Sequence, residues 1–194
     1  EGRLIKRLDI LKVIAEADAV IALPKFKTHN LTRLTGATKI LFGVVPGVTK
    51  FGYHAKLQDA MRFSEMLVDV IAFVKPVLNI MDAVVGMDGN GPSGGDPYAA
   101  NLLMASADPY AMDVVGATLV GMEPLSLPPL RVAASRGLTT GSVDDVTILG
   151  LSLDEARLKD FRYGTATAVD TGIFPRLVRR MGRRIVAART TEGN

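Results

Sequence analysis

Residues 23–30, LPKFKTHN, set Lys25, Lys27 and His29 at every second position behind an apolar run. Alternate side chains of an extended chain project to one side, so this spacing predicts a small cationic claw at the mouth of a strand. Two ammonium groups and an imidazole suit a carboxylate or a phosphate. Lysine supplies a compact positive charge, and histidine donates a hydrogen bond or moves a proton. A solvated strand end would carry the same residues, so spacing alone leaves both readings open. Lys39 and His54 could converge on the claw, which only folding decides.

A second stretch with chemistry in it is GMDGNGPSGGDPY, residues 86–98. Gly89, Gly91 and Gly94 match G-x-G-x-x-G, but that pattern holds a dinucleotide only when a helix N-terminus follows. Here Pro92, Gly95, Asp96 and Pro97 intervene before an apolar run, which excludes the dinucleotide reading. An ordered glycine loop beside the claw, able to bring backbone amides to a ligand, is expected instead. Asp82, Asp88 and Asp96 lack the spacing of a calcium loop, so no metal site is expected. No P-loop, G-x-S-x-G elbow or H-E-x-x-H is present, and common hydrolase and nucleotidase chemistries lose their support.

Strands and helices must position these groups. The β-branched run AVIAL predicts a buried strand closed by Pro24, and LTRLTGATKILF predicts a helix over 31–42 stopped by Gly43. VVPGVTKFGYHAK is expected to be a loop. Over 57–74, Asp59, Arg62, Glu65 and Asp69 keep one polar stripe while Met61, Met66, Leu67, Val70, Ile71 and Val74 fill the rest, which predicts a helix ended by Pro76. VLNIMDAVV and NLLMAS predict strands, with the glycine stretch between them a loop. Asp108 and Pro109 read as the cap and first turn of a helix to about Val120. A shorter helix near 130–135 and a strand at 146–150 follow. This alternation predicts one α/β domain, residues 1–170, with a largely parallel or mixed sheet flanked by helices.

The 194 residues hold no cysteine, so the chain offers no thiolate to a metal or an iron–sulfur cluster. From Pro175 onward six arginines face one glutamate, which leaves 17 basic and 19 acidic residues before it. Phe174, Leu177, Val178, Met181 and Ile185 fall at helical spacing among those arginines, so residues 171–194 predict a basic amphipathic helix or linker. A connecting helix toward a downstream module is preferred over a membrane-surface helix, because a second membrane signal is missing. Nucleic acid is disfavoured for want of aromatic stacking residues. The chain begins with Glu1 and opens on no signal-peptide pattern, which predicts a fragment or processed chain with a cytoplasmic location.

Taken together, LPKFKTHNLTRLTGATKILFG, EMLVDVIAFVKPVLNIMDAVVGMDGNGPSGG and MASADPYAMDVVGA resemble the domain of unknown function 362 family over about residues 4–150. Three motifs in the family's order carry the resemblance. Its recurring positions match Lys25, Lys27, Thr28, His29, Lys39, Gly43, Asp82, Gly86, Met87, Gly89, Asn90, Gly91, Pro92, Asp108 and Asp113. The resemblance implies a ferredoxin-like module with two [4Fe-4S] clusters in many members, fused or separate, and hence redox chemistry near a small anionic substrate. From side-chain chemistry, His29 is the expected acid or base, with Asp82 or Asp113 as its partner. Lys25, Lys27, Thr28, Lys39, Gly89, Asn90 and Gly91 are the expected substrate-binding residues. A noncatalytic domain that positions an electron-transfer module is the rival expectation.

Overall fold

The computed structural model describes residues 4 and 7–164. It is an α/β fold in which helices flank a mixed sheet of β1 (Ile21–Ala22), β2 (Lys25–His29), β3 (Arg33–Thr35), β4 (Leu78–Asn90) and β5 (Gly94–Ser106). β1 and β2 run one after the other along β4 and parallel to it, while β3 pairs antiparallel with β2 and β5 antiparallel with β4. Pro24 lies in the gap between β1 and β2, where a residue without an N–H interrupts a ladder at least cost. Its carbonyl still accepts a bond from Asp82 N at 2.9 Å. Lys25 then faces Asp82, the register jumps, and Lys27 faces Met87. Ala22, Phe26, Met81 and Ala83 are buried, whereas Ile21, Leu23, Val84 and Leu103 stay exposed.

The helices are α1 (Lys12–Ala15), α2 (Ala37–Ile40), α3 (Gly47–Lys56), α4 (Ala60–Val74), α5 (Pro109–Leu119), α6 (Pro128–Ser135) and α7 (Leu153–Ala156). Asp59 caps α4 through Arg62 N at 2.9 Å. Lys75, in the left-handed conformation, ends that helix ahead of Pro76. Asp108 caps α5, accepting from Tyr110 N at 2.7 Å and Ala111 N at 3.2 Å, with Pro109 in the first turn as expected. Phe63, Met66, Leu67 and Val70 of α4 are wholly buried. The polar stripe of α4 is not solvated throughout. Asp69 is buried and meets Arg136, just past α6, at 2.7 Å, tying the two helices together.

Several segments differ from the sequence expectation. Residues 31–42 hold β3, α2 and the start of a 3-10 turn rather than one helix, because the chain must reverse after β2 to supply an edge strand. The expected loop at 44–56 contains α3, with Lys50 N bonded to Pro46 O at 2.8 Å. Pro46 stands just before the first turn, where a missing N–H costs nothing, so a residue that reads as a loop marker serves as a helix start. The glycine stretch 86–98 is a β-hairpin: β4 and β5 stay paired from Asn79–Ser106 out to Asn90–Gly94. Residues 146–150 pair with no described strand and instead line, with β5 and α5, an apolar cavity of about 360 Å³. The basic segment 171–194 and the boundary at 170 lie outside the described residues.

Candidate functional site

β2 ends on His29, and the chain turns through Asn30 and Thr32 into β3. The imidazole holds that turn itself: Nδ1 accepts from Leu31 N at 3.1 Å and from Thr32 N at 3.4 Å. Thr32 Oγ1 donates to Leu34 O at 2.8 Å to complete it. With Nδ1 an acceptor, the ring proton sits on Nε2, so the ring keeps one N–H to donate. Arg33 opens β3 with φ 65°, a left-handed conformation that costs a side-chain-bearing residue on the order of 1 kcal/mol.

A cavity of about 260 Å³ lies where this turn meets the far end of β4. Thr28, His29, Asn30, Arg33, Gly89, Met122, Tyr163 and Gly164 line it. That is the carboxyl end of two parallel strands, the place where open α/β sheets put their ligands. Thr28 is 2% exposed and its Oγ1 has no hydrogen-bond partner among the described residues. Arg33 makes no ion pair among them. The β4–β5 hairpin closes against β2 here, for a Cβ on Gly91 would stand 1.8 Å from Thr28 O. Only glycine permits that approach. Tyr163 bridges to Gly89 and donates its hydroxyl to Val120 O.

Behind the turn five basic side chains gather: Lys27, His29, Lys39, Lys50 and His54. Burial first, then the positive charges of Lys39, His54 and Lys27, hold the His29 pKa down at about 3. The ring is neutral at pH 7. Burial, then Lys27 and Lys50, lower Lys39 to about 8. His54 is lowered by burial and by Lys39 and Lys50. It stacks on Phe63 at 5.2 Å and meets the edge of Phe42 at 5.1 Å. Lys50 Nζ lies 5.6 Å from the Phe42 ring centre. No described carboxylate acts on His29, Lys39 or His54.

The sequence-predicted residues divide between this place and others. Thr28, His29 and Gly89 line the cavity, and Gly91 packs on Thr28. Lys27 donates to Pro92 O in the hairpin turn at 3.0 Å, and Asn90 abuts Gly164. Lys25 is paired with Asp82 at 2.7 Å, before the register jump and half exposed. Its charge is already met. Asp113 is buried at the start of α2, where it accepts from Ala37 N at 2.7 Å, Thr38 N at 3.0 Å and Thr38 Oγ1 at 2.5 Å. Burial pushes its carboxyl up to about 6 against those bonds. Neither Asp82 nor Asp113 touches His29; one neutralises a lysine and the other starts a helix. Asn30, Arg33 and Tyr163 are cavity residues that sequence reasoning passed over. Asn30 and Arg33 border the quoted claw, but a helix drawn from residue 31 concealed the turn.

Asp88 and Asp96 belong to a separate clamp. Arg162 reaches Asp88 at 2.7 and 2.9 Å and Asp96 at 2.8 Å, fastening the hairpin to the segment that carries Tyr163.

The chain is 39% identical over 132 residues to "Thylakoid-associated protein sll1697" of Synechocystis sp., an alignment covering 68% of this chain and 41% of that protein. The chain thus spans less than half the length of this relative. No solved structure matches it. Among the described residues, no helix is long and apolar enough to cross a membrane. The family described as "Domain of unknown function (DUF362)" matches residues 1–118, which takes in β1 to β5 and nearly all of α5. The chain belongs to that family.

Proposed function

We propose that the domain binds a small anionic substrate, a carboxylate or phosphate, in the cavity at the carboxyl ends of β2 and β4. The observation that carries this reading is the pair of buried, adjacent donors Thr28 and His29 beside a cationic cluster with no described carboxylate on it. A buried hydroxyl without a partner is costly, and a ligand oxygen would supply that partner. His29 Nε2–H is a second donor, Arg33 a charged third, and Lys27 and Lys39 supply positive potential behind them. His29 is an acid or base only once an anion has raised its pKa. Redox coupling rests on the family resemblance and on nothing in the cavity itself.

Calorimetric titration of the full chain with inorganic phosphate at pH 7 tests the reading. Saturable one-to-one binding is expected. Hydrogen bonds to charged groups contribute about 1.5–3 kcal/mol, so Thr28→Val and Arg33→Ala should each weaken binding by roughly tenfold or more. Lys25→Ala should change it little, since Lys25 already has Asp82. Equal affinity in all variants would overturn the assignment.

A further inference from the structure

We infer that the anion is the head of a phosphate monoester, and that a short hydroxylated chain esterified to it fills the rest of the same cavity. The inference rests on the anion-binding reading above and names the class of molecule that carries the anion.

The cavity is larger than an oxyanion. A space of about 150 Å³ takes a benzene ring, a bulkier body than inorganic phosphate. The volume of about 260 Å³ here therefore leaves on the order of 100 Å³ beyond the anion. That room suits a short chain.

The donors favour phosphate over carboxylate. His29 and Arg33 are opposite partners in the β2–β3 ladder and both line the cavity, so an imidazole N–H and a guanidinium stand as neighbours. Thr28 adds the buried hydroxyl that has no partner among the described residues. Donors on three side chains match the three free oxygens of a monoester phosphate, whereas a carboxylate with two oxygens leaves a donor poorly met. None of the residues that line the cavity is acidic. Asp88, next to Gly89 in the chain, is held by Arg162 at 2.7 and 2.9 Å, so its charge is met by the clamp.

The remaining lining suits hydroxyl groups. The Asn30 amide both donates and accepts, as a hydroxyl does. Gly89 and Gly164 bring main-chain polar groups to the wall without a side chain to cover them. Met122 is buried, and Tyr163 has already given its hydroxyl to Val120 O, so these two bound the space by shape and leave the polar contacts to Asn30 and the main chain.

The test is calorimetric titration of the full chain at pH 7 with inorganic phosphate, glycerol 3-phosphate, glycerate and phenyl phosphate. Glycerol 3-phosphate should bind roughly tenfold or more tightly than inorganic phosphate, and glycerate roughly tenfold or more weakly than glycerol 3-phosphate. Phenyl phosphate, whose body has no hydroxyl, should stay close to inorganic phosphate. Asn30→Ala should bring the ratio of glycerol 3-phosphate to phosphate affinity close to one. If neither inorganic phosphate nor glycerol 3-phosphate binds, the anion reading itself fails. If phosphate binds but glycerol 3-phosphate binds no more tightly, or glycerate or phenyl phosphate equals glycerol 3-phosphate, the monoester inference is overturned and the anion reading stands.

Discussion

At the scale of single residues, the site turns on a histidine that uses one nitrogen to build its own loop and keeps the other for a ligand. This arrangement has a signature in stability. The unfolded chain protonates His29 near pH 6.5 and the folded protein only near pH 3. Between those values the unfolded state binds more protons, so stability falls as pH falls through that window and is unaffected above it. Urea unfolding at pH 7, 5 and 4 should show this loss, and His29→Gln should reduce it, leaving the part that His54, also lowered by burial, contributes. The chemistry of Lys27 and His29 was legible in LPKFKTHN because types and spacing are local. The capture of Lys25 by Asp82 was not, since it comes from a register 57 residues away.

At the scale of elements, two contacts decide whether the site assembles. One is the start of α2, where the Asp113 carboxylate satisfies the Ala37 and Thr38 N–H groups and sits so close that a Cβ on Gly36 would stand 2.0 Å from its Oδ1. α2 carries Lys39. Asp113→Asn turns one acceptor into a donor facing a donor, which should cost about 1–3 kcal/mol by thermal or chemical unfolding. The second contact is the β4–β5 hairpin against β2. Gly91→Ala must push the turn off Thr28 O, which should cost about 1–3 kcal/mol and weaken phosphate binding together. Arg162→Ala should lower the melting temperature by releasing the hairpin from Asp88 and Asp96. The helices α4, α5 and α6 were legible from caps and periodicity, both properties of neighbouring residues. The hairpin was not, because its glycines mimic loop composition while their small size is what lets two strands and β2 crowd together. The β3 reversal failed to show for a similar reason: Leu31, Leu34 and Leu41 fit a helical face yet are buried in a turn, a strand and a 3-10 turn.

At the scale of the whole molecule, the positive potential of the site is local. Residues 1–174 carry 17 basic and 19 acidic side chains, so their net charge is slightly negative while five basic groups crowd behind one turn. Self-repulsion inside that cluster opposes folding and is relieved by a bound anion, so phosphate should raise the melting temperature, and go on raising it logarithmically with concentration beyond saturation. One contiguous core joins the sheet to α4, α5 and α6, which predicts a single unfolding transition with coincident far-ultraviolet and tyrosine signals. The central claim is that an anion meets the Nε2–H of His29. Its most direct measurement is the imidazole nitrogen spectrum of His29 in labelled protein, titrated with inorganic phosphate from pH 4 to 8. The account predicts a neutral ring protonated on Nε2 without phosphate, then a saturable shift of that nitrogen and a raised His29 pKa with it, both lost in Thr28→Val with Arg33→Ala. An Nε2 resonance and pKa indifferent to phosphate at millimolar concentration would contradict it.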